Sequence, residues 1–401
     1  MNARSILFAL ALGSFAIGVT EFAPMGLLPT IAADLEVSIP SAGMLITAYA
    51  VGVMLGAPTM TVALGRFSRR RALLGLMALF VAGNILSGLA DTYGVLMVGR
   101  VVTSLSHGAF FGIGATVAAD AVPPSRRASA VAMMFLGLTV ANIGGVPLAT
   151  WLGNAIGWRS AFLATGALGV LAWISLIAAL PKSPAIARPD FRSDASAMLR
   201  RPVLLALLTT VLAAGSMFTI YTYVAPLLQT ITLASNGFVM LGLMVIGLGF
   251  TLGNIVSGKL SDRSLQKTLI GALILAAVAC AVLPLLAKSH MGAAIALLVW
   301  GAASFGVNTP VQTRVMEEAG QAKGLASSIN IGAFNLGNAL GAMAGGAVLS
   351  SGLGYWSIGP TAAVLALAAV GVAIFNRPRV EPSSRRADRT LAAEASDGLA
   401  R

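Results

Sequence analysis

The sequence predicts an all-α membrane protein whose twelve transmembrane helices form two six-helix, pseudo-symmetric halves. Three observations carry that prediction. The 401 residues are 57% hydrophobic and only 10% charged, with a mean hydropathy of +0.88. Soluble domains carry about 25% charged residues, so this chain could not cover a water-facing surface. Its apolar residues gather into runs of about 20, the length that crosses roughly 30 Å of hydrocarbon as a helix. A shift of the chain by 197 residues then brings one half onto the other without gaps.

Taken in order, the runs cover approximately 6–31, 42–64, 72–90, 93–119, 128–156, 160–180, 202–228, 237–258, 268–287, 291–313, 324–353 and 355–376. The first is too long for a signal-peptide core and lacks a good small-residue cleavage site, so it reads as a retained helix. It also holds one carboxylate, Glu21, within "GVTEFAPMGLLP". A charge at that depth costs roughly 3 kcal/mol or more and calls for a partner, a proton or a function. The fourth run contains Arg100 and His107, and the fifth contains "GLTVANIGGVPLATWLG" at 137–153. Several runs are rich in Gly and Pro, which membrane helices tolerate better than soluble ones. The alternating pattern of a membrane β-barrel is absent.

The connections divide the chain into an N-terminal bundle (1–180), a long central loop (181–201), a C-terminal bundle (202–376) and a polar tail (377–401) expected to be disordered. They also carry the charge. One side has "RFSRRR" (66–71), "PPSRR" (123–127), the central loop, "KLSDRSLQK" (259–267), Arg314, Lys323 and the six arginines of the tail. With Arg4, that side holds 23 of the 26 basic residues; the opposite loops hold Arg159 and Lys288, and Arg100 lies inside a run. This asymmetry predicts cytoplasmic termini in a bacterial-type inner membrane.

Several function classes are disfavoured. The net charge of +12 is spread over short loop clusters, not over a basic face with interleaved aromatics, so no nucleic-acid partner is expected. Cys280 is the lone cysteine and there are two histidines, so neither a disulfide nor a metal site is expected. No nucleotide-cradling G-x-x-x-x-G-K-[ST] motif is present. No nucleophile–base constellation points to an enzyme, and no sizeable extramembrane domain points to a receptor. What remains is a function within the bilayer, for a chain expected to act as a monomer.

The 197-residue offset separates scaffold from chemistry. Arg66 falls on Arg263, Arg70 on Lys267, Asp120 on Glu317 and Arg126 on Lys323. The intramembrane charges have no such mates: Glu21 falls on Phe218, Arg100 on Leu297 and His107 on Ser304. Parallel six-helix repeats are the arrangement of major facilitator transporters.

At this point the chain resembles the major facilitator superfamily over about residues 5–376, in particular its twelve-helix drug/proton antiporter branch and the arabinose-efflux-permease type within it. "TEFAPMGLLPTIAADL" looks like that group's first-helix signature, and "SHGAFFGIGATVAAD" (106–120) is similarly characteristic. The loop between helices 8 and 9, "GKLSDRSLQK" (258–267), keeps the family motif with Asp262, Arg263 and Lys267. Its N-terminal counterpart keeps Arg66, Arg69 and Arg70, with Gly65 where the acid is expected. The resemblance implies that these residues act in conformational switching. Arg100 matches the helix-4 arginine. Gly137, Gly144, Gly145 and Pro147 resemble the helix-5 antiporter motif, with its usual Gly-Pro pair split by Val146. Ordinary close packing of small residues explains Gly137, Ala141 and Gly145 equally well. Gly337, Gly341 and Gly345 form the analogous stripe in span 11.

Depth along the helices links Glu21, about 15 Å from the outer end of its span, to Arg100, about 10 Å from the outer end of its own. Glu21, Arg100 and His107 are the expected proton-coupling group, with a structural Glu21–Arg100 partnership and a packing role for His107 as the alternatives. The uncharged polar residues Tyr221, Tyr223, Asn308, Gln312, Asn330, Asn335 and Asn338 are candidate substrate ligands, or equally glue between helices. The implied activity is export of a drug, sugar or nucleoside-like compound in exchange for protons. It needs no cofactor beyond the proton gradient. Proton-coupled uptake of a sugar or nucleoside is the alternative within the same fold.

Overall fold

The computed structural model describes residues 3–123, 126–181, 198–320 and 323–376. The tail at 377–401 and most of the central loop lie outside the described residues. The rest forms twelve helical rods, the first six being α1 (Ala3–Asp34), α2 (Ile39–Leu64), α3 (Arg69–Gly88), α4 (Tyr93–Asp120), α5 and α6 (Arg127–Val140 and Val146–Ile156, joined by a π turn) and α7 (Trp158–Ala179). The other six are α8 and α9 (Arg201–Tyr221 and Val224–Ile231), α10 (Asn236–Arg263), α11 (Leu265–Leu286), α12 and α13 (His290–Gly306 and Asn308–Glu318), α14 (Lys323–Ser350) and α15 (Ile358–Phe375). Eleven helices among the described residues are long and apolar enough to span a membrane. The remaining rod, α14, spans 28 residues but carries Asn330, Asn335 and Asn338 among its glycines.

The sequence repeat reappears as local structure. Ser38 caps α2 and its mate Ser235 caps α10; Thr92 caps α4 and its mate Ser289 caps α12. Each side-chain oxygen accepts an N–H of the first turn, which satisfies a donor that the helix itself leaves unpaired. Gly157 and Gly354, also mates, both adopt positive φ (100° and 70°) at the entry to the last rod of their half. A residue with a Cβ would be strained there.

Three rods are broken near prolines. Pro147 has no N–H, and its ring crowds the carbonyl four residues earlier. The helix responds by widening: Ala141–Gly145 form a π turn in which Val146 N–H bonds to Ala141 O. The α8–α9 break at Thr222–Tyr223 precedes Pro226, and the α12–α13 break at Val307 precedes Pro310.

The packing differs between the two ends of the molecule. At the end bearing the basic loops, the apolar clusters stay within one half. Leu10, Leu73, Phe80, Phe110, Met134 and Leu176 pack together in the first half, while Val203 with Val315, and Leu273 with Val311, belong to clusters of the second. At the opposite end one cluster crosses between halves, joining Phe22, Met25, Leu28 and Ile46 to Phe218, Tyr221, Leu243 and Trp300. The glycines show how closely the backbones approach there. Gly43 of α2 lies against the Tyr223 hydroxyl, and Gly247 of α10 lies against the Asn142 carbonyl in the π turn. Among the described residues, the halves are thus zipped at one end and separately packed at the other.

Candidate functional site

The intramembrane charges of the first half converge on one site. Glu21 of α1 is 4% exposed, His107 of α4 is 6%, and Arg100 of α4 and Tyr49 of α2 are 1% each. His107 Nε2 stands 4.0 Å from Glu21 Oε2. On the other side of the ring, His107 Nδ1 is 3.0 Å from the Tyr49 hydroxyl. The Arg100 guanidinium lies over the Tyr49 ring, 4.2 Å from its centroid. Phe111, one turn beyond His107, packs 5.2 Å away between ring centroids and closes the site toward the basic end.

The expected Glu21–Arg100 partnership takes a different form. No ion pair joins them among the described residues; Arg100 Nη1 donates instead to the carbonyl of Thr20, at 2.7 Å. Thr20 Oγ1 in turn donates to Asn84 Oδ1 of α3 at 2.6 Å, and Asn84 Nδ2 donates to Phe80 O at 2.9 Å. Arg100 Nε and Nη2 are buried with no hydrogen-bond partner, so its charge is balanced mainly by carbonyl and aromatic density. Cation–π contacts of this sort are worth about 2 kcal/mol when desolvated.

An aromatic wall from the second half faces this group. Phe22, next to Glu21, packs 5.6 Å from Tyr221 and 6.3 Å from Phe218. Tyr221 continues to Phe250 at 5.5 Å and to Trp300 at 6.0 Å. Tyr221 thus sits at the contact between halves, beside the carboxylate. Tyr223 sits differently: its hydroxyl donates to Ala342 O at 2.9 Å in the zipped end, which is a packing role.

The amides of the second half divide in the same way. Thr210 Oγ1 donates to Asn330 Oδ1 at 2.6 Å, Asn330 Nδ2 donates to Gln312 Oε1, and Gln312 Nε2 donates to Ser327 Oγ at 2.8 Å. That chain ties α8, α13 and α14 together and satisfies its own members. Asn335 Nδ2 bonds its own helix at Ile331 O, whereas Asn335 Oδ1 and Asn338 Oδ1 are buried acceptors without a donor. Asn308 is half-buried at the start of α13.

A model of the Major Facilitator Superfamily matches residues 10–330. The chain belongs to the major facilitator superfamily. It is 57% identical over 378 residues to the inner membrane transport protein YdhP of Escherichia coli K12, covering 94% of this chain and 97% of that protein. It is 34% identical to the putative transporter AraJ of the same organism, covering 92% and 93%. Among solved structures, a D-xylose-proton symporter superposes with a TM-score of 0.74 at 16% identity, covering 92% of this chain and 97% of that one. That superposition shows the shared fold.

Within this superfamily fold, the switch-loop residues take distinct positions. Arg69 pairs with Asp120 at the end of α4, so an acid from another helix stands in where Gly65 replaces the loop acid. Arg70 Nη2 donates to Ile177 O at the end of α7, and Gln266, beside Lys267, donates to Ala373 O at the end of α15. Arg66 lies over the Phe67 ring at 5.1 Å. Asp262, Arg263 and Lys267 are exposed and make no ion pair among the described residues. Arg314, read from sequence as a loop charge, is instead buried at the end of α13. There it donates to Asn376 O at 2.6 Å and pairs with Glu318 at 2.7 Å. Arg159 is paired with Asp34 at 2.6 Å.

The helix-5 glycines are packing residues at two of three positions. Gly137 lies against the Ala11 carbonyl and Gly145 against Val19 and Phe15, all on α1, whereas Gly144 faces open space. Gly337, Gly341 and Gly345 lie against α8 or the adjoining Tyr223 in the corresponding way. Sequence reasoning passed over Tyr49, Thr20, Asn84 and Asn142. Each is a neutral polar residue in an apolar run, and pattern alone does not separate those from residues that hold helices together.

Proposed function

We propose that this major facilitator protein exports a small organic compound in exchange for protons, through alternating access between its two halves. The observation that carries this reading is the one-sided cluster of Glu21, His107, Tyr49 and Arg100. It is buried in the first half and faced by the Phe218–Tyr221–Trp300 wall of the second. A carboxylate in a closed apolar setting is pushed toward its neutral form, and a nearby cation favours the charged one. Moving the wall relative to the cluster changes that balance, so proton loading follows the rocking of the halves. The aromatic wall and the open amide acceptors Asn335 and Asn338 suit a compound with a flat or apolar body and hydrogen-bond donors. The drug-, sugar- and nucleoside-like classes all meet that description. In this reading no cofactor is required beyond the proton gradient, and the loop charges support cytoplasmic termini.

Purified protein in proteoliposomes, with an imposed pH gradient and a panel drawn from those three classes, tests the reading. Efflux of at least one compound is expected to accelerate with the gradient and to carry protons the other way. Transport indifferent to the gradient contradicts proton exchange. Uphill accumulation together with protons replaces export by uptake.

A further inference from the structure

We propose that Tyr49 is a positioning residue that sets the tautomer of His107. Its hydroxyl donates to Nδ1, so the ring proton resides on Nε2 and points at Glu21. The geometry begins with an ambiguity. A neutral imidazole has one N–H and one acceptor nitrogen, and a tyrosine hydroxyl has a single proton to give. Across the 3.0 Å Tyr49–His107 contact, either group could be the donor.

Two neighbours favour the same choice. The Arg100 guanidinium, 4.2 Å from the centroid of the Tyr49 ring, draws density from the ring and strengthens the hydroxyl as a donor. The Glu21 oxygen, 4.0 Å from Nε2, attracts a proton on that nitrogen when the carboxylate is charged. Around the ring, α1 contributes Glu21, α2 contributes Tyr49 and α4 contributes Arg100; the remaining aromatic contact, Phe111, has no charge. The hydrogen bond made by one ring nitrogen decides what the other presents. Tyr49 thereby turns a neutral N–H toward Glu21, at a separation longer than a hydrogen bond, on a ring that would otherwise divide between two tautomers.

The assignment rests on reading Glu21 and His107 as the proton site, but its test needs no transport. The chain has two histidines, and His290→Gln at the exposed start of α12 leaves only His107. Nitrogen-15 histidine labelling of that variant in lipid nanodiscs, at a pH high enough to ionise Glu21, reads the tautomer from the two ring-nitrogen shifts. The expected spectrum has a pyrrole-type Nε2 and a pyridine-type Nδ1. Adding Tyr49→Phe, with the fold checked by circular dichroism and a monodisperse elution profile, is expected to give a mixture of tautomers. A pyrrole-type Nδ1 in the Tyr49 protein overturns the proposal, whether or not the second variant folds. An unchanged spectrum in a folded Tyr49→Phe protein does so as well. Gradient-indifferent transport by the unsubstituted protein in liposomes would overturn the functional reading and leave the tautomer result standing.

Discussion

Glu21 is the residue on which the functional reading turns, because among the described carboxylates it alone is buried in the interior and lacks a full counter-charge at contact distance. Its nearest basic group is His107 at 4.0 Å; Arg100 is spent on Thr20 O and the Tyr49 ring. Glu21→Gln removes the proton site and leaves an amide of the same shape. We expect that variant to fold and to bind substrate, with gradient-driven transport falling to the level of empty liposomes. Transport against a gradient by well-folded Glu21→Gln protein would contradict the coupling role. Glu21, His107 and Arg100 stood out in the sequence because charge in an apolar run is expensive. Their mutual contacts did not stand out, because counting residues gives height along a helix and says nothing of which way a side chain faces. Tyr49 left no trace in the sequence for a related reason: a tyrosine fits an apolar helix at little cost and needs only one partner for its hydroxyl.

The elements show why glycines cluster where they do. The π turn at Ala141–Gly145 sets the Asn142 carbonyl directly against Gly247 of α10. Any Cβ at 247 meets backbone, which cannot swing aside as a side chain would. Gly247→Ala is therefore expected to destabilise the protein by about 1–3 kcal/mol, the usual cost of overpacking. Gly144→Ala, in the same π turn but facing open space, is the control and should be neutral or slightly stabilising. Thermal unfolding of the two variants in one detergent checks the contrast; equal melting temperatures would remove the close-packing account of this seam. The existence and order of the helices were legible, since runs of about 20 apolar residues permit little else in a membrane. The π turn was not legible, because it depends on how one proline's missing donor is absorbed. Nor was the buried position of Arg314: beside Glu318, one turn away, it is held by a backbone carbonyl at Asn376, more than sixty residues away.

Among the described residues, the apolar cluster that joins the two halves lies at one end of the molecule. The repeat predicted two similar bundles, and the repeated caps at Ser38 and Ser235, with the matched glycines 157 and 354, carry that symmetry into structure. Which end would be zipped was not in the sequence, because it depends on how the two bundles are placed relative to one another. The proposed alternating access requires this seam to open. A Cβ on Gly346 would lie 3.7 Å from the Cβ of Pro40, within the 3.5–4.5 Å that a disulfide spans, and 2.7 Å from the Tyr223 hydroxyl, which must shift to admit it. With Cys280→Ser removing the native cysteine, the pair Pro40→Cys and Gly346→Cys therefore bridges α2 and α14. We expect the oxidised double variant to lose transport in proteoliposomes and to regain it on reduction. Undiminished transport by protein shown to be almost fully cross-linked would contradict the account.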